Sequence, residues 1–425
     1  MEEFDAIVVG AGPAGCAAAY KMATHGLNVL VLERGQYPGA KNMWGGAFIG
    51  PLMHDLFPNF LQEAPVERLV SRHIISFLTE QESLSVDFKS SRAESHHGFI
   101  ILRARFDQWL AGKVEQAGAI IASGLAADDL VMDGNTVKGV RAGDDEFMSN
   151  AVVLADGVNS LLALKRGFRK EFTPHDIKQG VKEVIRLPRE VIEERFNLRG
   201  DEGVVLECIG ACTRGLPGGG FLYTNQDSIS VGVVVQLSEV LKNKVKASDL
   251  IEEFKAHPAI APLIRQGEMV EYSAHLIPVS GVKMMPPLYA DGILIAGDAA
   301  AMVLGTGLIL EGANFAMASG IAAAETVIKA HGKGDFSKTV LSHYEELLKD
   351  RFVLKDMQTF KKAPEFLENE RIYQVYPKLA CEIIGELFKN DGTPRVNSWK
   401  TVLKGMKGKI SPLQFISDAV KARTI

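Results

Sequence analysis

Six residues near the amino terminus, Gly10-Ala11-Gly12-Pro13-Ala14-Gly15, restrict what this chain can fold into more than any other feature. They follow the apolar β-type run Phe4–Val9 and precede a helix-like stretch from Cys16 to His25. Gly26 ends that helix, and Asn28-Val29-Leu30-Val31-Leu32-Glu33-Arg34 reads as a second, parallel strand. In such a unit Gly10 turns the chain, Gly12 lets backbone approach a pyrophosphate, and Gly15 lets the helix pack on the strand. The helix start, with Pro13 and Ala14, supplies the positive end of a dipole for phosphates. Glu33, 18 residues beyond Gly15, can accept from a ribose 2′-OH and would repel a 2′-phosphate. The fingerprint alone does not separate NAD from FAD.

Two later runs end in the same way. Ala151–Ala155 is an apolar strand closed by Asp156-Gly157, and Gly292–Ala296 is another closed by Gly297-Asp298. Both place an acid beside a glycine at the carboxyl edge of one sheet, where ligands of open α/β sheets bind. The Gly- and Ala-rich segment Glu311–Ala330 reads as a close-packed helix whose start faces a flavin's polar edge. Together these signals resemble the FAD-binding fold of the glutathione-reductase-like and hydroxylase-like flavoproteins. That resemblance implies FAD, with Gly297 and Asp298 near its ribityl and pyrophosphate region and Asp156 and Gly157 matching the hydroxylase branch. No second complete G-x-G-x-x-G occurs, so a dedicated NAD(P)H domain is not expected.

The stretch Tyr37–Gly46 is polar and glycine-rich around one large aromatic, Trp44. It reads either as a surface loop whose Trp44 covers core or as backbone laid against an isoalloxazine. With Lys41-Asn42-Met43-Trp44-Gly45-Gly46, Arg103-Ala104-Arg105-Phe106-Asp107, Ala155–Ser160, Gly180–Glu183 and Gly218–Tyr223, the chain closely resembles the electron-transfer-flavoprotein:quinone oxidoreductase (ETF-QO) family. It is most similar to the shorter FixC-like branch, over nearly its whole length. The resemblance implies an FAD-dependent electron-transfer enzyme that takes electrons from the electron-transfer flavoprotein heterodimer and reduces a membrane quinone. It also implies that Arg34, Lys41, Asn42, Met43, Trp44, Gly45, Gly46 and Arg103 meet the FAD, and that Gly219 and Gly220 meet the quinone. Longer relatives continue into a cluster-binding ferredoxin-like region that this sequence does not contain, which implies a separate small ferredoxin-like iron–sulfur subunit as partner. The competing class is a flavoenzyme acting on a substrate, of the prenyl reductase or hydroxylase type.

The rest of the sequence bounds this reading. With 425 residues, more than one lobe is expected. The anticipated fold is α/β: a hydroxylase-type FAD-binding domain over 1–164 and 281–332, an inserted, mainly antiparallel β lobe over 165–280, and a C-terminal helical region over 333–425. A net charge of −5 argues against a general nucleic-acid binder. Four scattered cysteines, Cys16, Cys208, Cys212 and Cys381, suit neither a disulfide framework nor a metal cluster, so reducing surroundings and no metal are expected. The opening residues do not read as a signal peptide, and the most apolar later run, Ala299–Leu310, is too short to span a bilayer. A cytoplasmic protein, peripheral at the inner face of the membrane, is the consequent expectation. The apolar segment Pro51–Leu61 either packs internally or admits a lipid quinone. Finally, the 31 residues from Arg395 carry seven Lys/Arg against one acid, Asp418. There Ser411-Pro412 reads as a helix cap, followed by a stripe of Leu413, Ile416, Ser417 and Val420.

Overall fold

The computed structural model describes residues 3–40, 45–90, 98–307 and 309–423. The nucleotide-type unit forms as its sequence requires. Five strands run parallel in the order Ile293–Ile295, Asp145–Leu154, Glu3–Val9, Val29–Glu33 and Ile120–Ser123. Val29–Glu33 is buried along its whole length, the pattern of a parallel strand covered on both faces. A short strand, Tyr289–Ala290, closes one edge, and the hairpin Asp129–Asp133/Thr136–Ala142 folds against the start of Asp145–Leu154. Helix Pro13–Ala23 packs on helix Ala313–Lys333. The run Ala17–Ala19 and Ala322–Ala324 are buried, and the backbones come so close that a Cβ on Gly320 would stand 2.1 Å from the Ala14 carbonyl oxygen. The Pro51–Leu61 segment resolves toward internal packing: Met53, Phe57 and Phe60 are buried, and the Phe57 ring lies between Tyr20 and Trp109.

Among the described residues the second sheet has nine strands. In order they are Glu268–Pro278, Ile177–Arg186, Ser228–Gln236, Gly218–Thr224, Glu202–Gly210, Val66–Leu78, Phe99–Leu102 and Gly45–Phe48, with Ser83–Lys89 hairpinned on Val66–Leu78. Neighbours are antiparallel except at Glu202–Gly210 and Val66–Leu78, which run parallel. The sheet is thus not confined to residues 165–280, because strands from 45–102 complete it. Buried Arg68 ties the two segments together, its Nε donating to the Asn225 carbonyl at 2.7 Å and one terminal nitrogen donating to those of Gly200 and Glu202, both at 3.1 Å. One face is covered by helix Ala247–Ala256, which sets Leu250, Ile251 and Phe254 against Val231 and Val233.

Short helices follow the long helix, and Tyr344 anchors them by donating to the Ile295 carbonyl at 3.0 Å. The chain finishes in helices Ser398–Met406 and Pro412–Ala422. The expected cap is present, with Ser411 accepting from the Gln414 backbone N–H and the Gln414 side chain accepting from the Ser411 N–H. No helix among the described residues is long and apolar enough to cross a membrane.

Candidate functional site

The carboxyl ends of the parallel strands open onto one cleft, which encloses about 1440 Å³ of space continuous with solvent. Strand order dictates its layout. Ala126 and Ala127 follow the outermost strand, then come Glu33 and Arg34, then Gly10 and Gly12, then Asp156 and Gly157, and last Asp298, all lining the same space with Pro13, Ala14 and Arg103. The fingerprint and the two strand ends are therefore brought together, with Gly15 and Gly297 set behind the lining.

Each has a local cause. Gly10 adopts φ +101°, and a Cβ there would lie 2.4 Å from the Ala155 carbonyl oxygen, so only glycine makes this turn. A Cβ on Gly15 would meet the Gly10 carbonyl oxygen at 1.9 Å. Gly12 is different, with an ordinary extended backbone (φ −82°, ψ −175°) that any residue adopts, and it borders the cleft. Helix Pro13–Ala23 begins there without a side-chain cap and without an acid in its first turn, leaving its unpaired N–H groups and positive end to whatever fills the cleft. Gly297 donates its N–H to Ser319 Oγ at 2.9 Å, which sets Asp298 in the following 3₁₀ turn.

Glu33 does more than the sequence suggests. Its Oε2 accepts from the Ala11 N–H at 2.9 Å and its Oε1 from the Gly35 N–H at 2.7 Å, so the carboxylate holds the glycine turn in place. Two of its roughly four acceptor directions are thereby used, which leaves capacity for a ribose hydroxyl. Glu33→Gln keeps one carbonyl oxygen and must leave one of the two N–H groups unpaired. We expect it to cost about 1.5–3 kcal/mol, read as a lower urea midpoint together with weaker flavin retention. An unchanged midpoint would exclude the bracing role.

Charge in the cleft is mixed. Arg103 pairs with Asp107 through two contacts of 2.6 Å, Nε to Oδ1 and a terminal nitrogen to Oδ2, and it also feels the Asp298 carboxylate. His275 Nε2 stands 3.9 Å from Asp298 Oδ2. Asp156 is pushed up to about 6 by burial, partly offset by its own backbone N–H and by the charges of Arg169 and Arg34. Its Oδ1, the Ser160 hydroxyl and one Arg169 nitrogen are buried without a protein hydrogen-bond partner. Buried polar atoms are rarely left unpaired. A hydroxyl-bearing, phosphate-bearing ligand along the cleft fits these orphaned groups and the free helix start.

Some expected residues lie elsewhere. Lys41, Asn42, Met43 and Trp44 lie outside the described residues, while Gly45 and Gly46 start the strand paired with Ile101 and Leu102. Gly219 and Gly220 are not on the cleft. They sit in mid-sheet, where a Cβ on Gly220 would be 2.7 Å from the Phe254 ring. Other residues reach the site without a motif to announce them. His275 and Ile277, on the strand Glu268–Pro278 of the second sheet, complete the cleft wall. Away from the cleft lining, two further groups on the same sheet are shifted: half-buried Lys178 is pushed down to about 8 by burial, against the opposing pull of Glu368. Half-buried Glu207 faces Phe221 across the ladder and is pushed up to about 7 by burial alone.

The Glu207 shift makes a prediction about stability. A carboxyl whose folded pKa is raised from 4.5 to about 7 is neutral in both states at low pH and penalises the fold progressively as the pH rises from the lower value to the higher. The penalty grows between pH 4.5 and 7 and reaches about 3 kcal/mol above it. Glu207→Gln should therefore match the parent protein at pH 4.5 and exceed its unfolding free energy by up to about that amount at pH 8. Equal differences at the two pH values would rule this out.

Fold and cleft together define an FAD-dependent oxidoreductase. Residues 5–158 match the FAD dependent oxidoreductase family, 178–277 the family described as ETF-QO, ubiquinone-binding, and 363–424 the ETF-QO/FixC family C-terminal domain. The chain is 44% identical over 425 residues to the probable electron transfer flavoprotein-quinone oxidoreductase YdiS of Escherichia coli (strain K12), covering 100% of this chain and 99% of that one. It is 42% identical to Protein FixC of the same organism over 424 residues, 99% of each. The chain belongs to the ETF-QO/FixC family, in its FixC-like branch. Among solved structures, a geranylgeranyl bacteriochlorophyll reductase-like protein from Thermoplasma acidophilum shares the fold with a TM-score of 0.75 at 20% identity, over 99% of this chain and 100% of that one. The halogenase CndH shares it with a TM-score of 0.66 at 18% identity, over 100% and 90%. FAD is the cofactor, and its isoalloxazine supplies the redox step. The cleft residues that would hold it are the start of helix Pro13–Ala23, which would meet phosphate charge, Glu33, which would accept from a ribose hydroxyl, and Arg103 and Asp298 in the middle of the cleft.

Proposed function

We propose that this electron-transfer oxidoreductase takes electrons from an electron-transfer flavoprotein heterodimer, in an assembly with a separate ferredoxin-like iron–sulfur subunit. It passes them to a quinone dissolved in the membrane, working as a peripheral protein on the cytoplasmic face. One observation carries the reading. The segment that matches the ubiquinone-binding family, residues 178–277, contributes His275 and Ile277 to the wall of the FAD cleft, so acceptor region and cofactor share a surface. Lys178, Lys182 and His275 lie in that sheet, and the buried Lys182 is held to Glu271 at 2.8 Å. Gly219 and Gly220 belong to this reading as the quinone contact, on a strand of the same sheet. Lys41–Gly46, of which the two glycines alone are among the described residues, belongs to this reading as the stretch laid against the flavin.

The test uses the FAD-loaded protein under anaerobic conditions. Reduced electron-transfer flavoprotein is mixed with it, with and without the ferredoxin-like subunit, and flavin absorbance is followed before and after a ubiquinone analogue is added. Reoxidation by the quinone supports the proposal. A flavin that stays reduced with quinone but is reoxidised by a prenyl-chain substrate supports the prenyl reductase class instead.

A further inference from the structure

The last two helices bury polar residues and expose apolar ones. In Pro412–Ala422, Asp418 is 3% exposed, whereas Leu413, Ile416 and Val420 are 80%, 57% and 56% exposed. At 100° per residue those three fall on the side opposite Asp418. The roll of the helix is fixed, because Asp418 accepts from Arg371 at 2.7 and 2.6 Å and from the Tyr376 hydroxyl at 2.7 Å. Helix Ser398–Met406 repeats the inversion, with Thr401 buried while Trp399 and Leu403 are 67% and 48% exposed. A helix that belongs wholly to a water-soluble surface turns such residues the other way. One exposed leucine needs no explanation, but five large apolar groups turned outward on consecutive helices mark a surface that meets something.

Charge identifies the partner. Asp418 is the single acid from residue 395 onward, and it is neutralised internally by Arg371. Lys400, Lys404 and Lys407 are exposed on or beside the same helices, so the outward surface is apolar with a cationic fringe. We propose that the outward faces of these two helices seat the protein on an anionic lipid bilayer, with Trp399, Leu403, Leu413, Ile416 and Val420 entering the headgroup boundary and the lysines meeting lipid phosphates. An apolar stripe carrying a tryptophan and flanked by lysines is the pattern of helices that lie in a membrane interface. The choice of lipid over an acidic protein rests on the proposed quinone acceptor, which is itself dissolved in the bilayer.

The experiment is flotation of the full-length, FAD-loaded protein with phosphatidylglycerol/phosphatidylcholine vesicles, compared with phosphatidylcholine alone. Reduction of a water-soluble short-chain quinone is measured alongside. Binding is expected only with the anionic vesicles. The triple variant Leu413→Gln/Ile416→Gln/Val420→Gln should weaken it at least about a hundredfold, and Lys404→Ala and Lys407→Ala by about fivefold each. Flavin content and short-chain quinone reduction should stay unchanged in all three. Vesicle binding that survives the triple variant, or wild-type protein that ignores anionic vesicles, overturns the proposal. So does a wild-type dimer that the triple variant converts to monomer, because the stripe then covers a second copy of this chain. If lipid binding follows the expected pattern but the wild type reduces no quinone, the surface stands and the quinone reading falls.

Discussion

Gly12→Val is expected to give a folded protein that no longer retains FAD. The backbone at Gly12 is extended and accepts a β-branched residue without strain, so the substitution leaves the turn itself intact. What it removes is room, because Gly12 borders the cleft at the uncapped start of helix Pro13–Ala23, where backbone would approach the pyrophosphate closely if FAD follows the fingerprint. Two added methyl groups overlap the cofactor, and a steric overlap in a packed site costs about 3 kcal/mol or more. Affinity should fall by upwards of about a hundredfold. Flavin-to-protein ratio after desalting measures the loss, and circular dichroism of the flavin-free forms checks the fold. Wild-type flavin content in the variant would contradict the assignment of the cleft.

Gly320→Val should fail earlier, at the level of the fold. Its Cβ would stand 2.1 Å from the Ala14 carbonyl oxygen and 2.9 Å from that residue's carbonyl carbon, so helices Pro13–Ala23 and Ala313–Lys333 cannot keep their spacing. Forcing them apart strains the alanine-lined contact and moves the helix start that borders the cleft, at a cost of about 3 kcal/mol or more. Thermal unfolding of the flavin-free proteins separates the two variants, since Gly12→Val should melt with the parent and Gly320→Val well below it. If both melt together, the helix contact does not limit stability.

Local signals were legible and long-range ones were not. The turn at Gly10, the acid at Glu33 and the strand ends at Asp156 and Asp298 each depend on neighbours within a few residues, and the parallel sheet then aligns them on one edge. His275 and Ile277 reach the cleft through register alone, His275 lying opposite Gly180 across the ladder, and no motif surrounds either. Glu207 lies between Leu206 and Cys208 and Lys178 between Ile177 and Gln179, and a charged side chain on a strand reads as facing solvent. The structure instead half-buries them. Gly219 and Gly220 are visible as glycines, but the ring of Phe254 is a reason for Gly220 that only packing discloses. In the tail, Ser411-Pro412 announced the helix start, whereas the inward turn of Asp418 follows from Arg371 and Tyr376, which no local pattern connects to it.

The parallel pairing of Val66–Leu78 with Glu202–Gly210 has a consequence for how the protein is made. During synthesis the first of these strands leaves the ribosome more than a hundred residues before its partner exists. At ribosomal speed that gap lasts roughly 6–25 s, far longer than a hairpin or helix takes to form. Ser83–Lys89 and Phe99–Leu102 can protect the nascent strand in part, but one long hydrogen-bonding edge stays open until Gly210 has emerged. Open edges recruit other chains. Fragments that stop short of Gly210 are therefore expected to aggregate, and holding chaperones should raise the yield of the whole chain more than they raise its stability once complete.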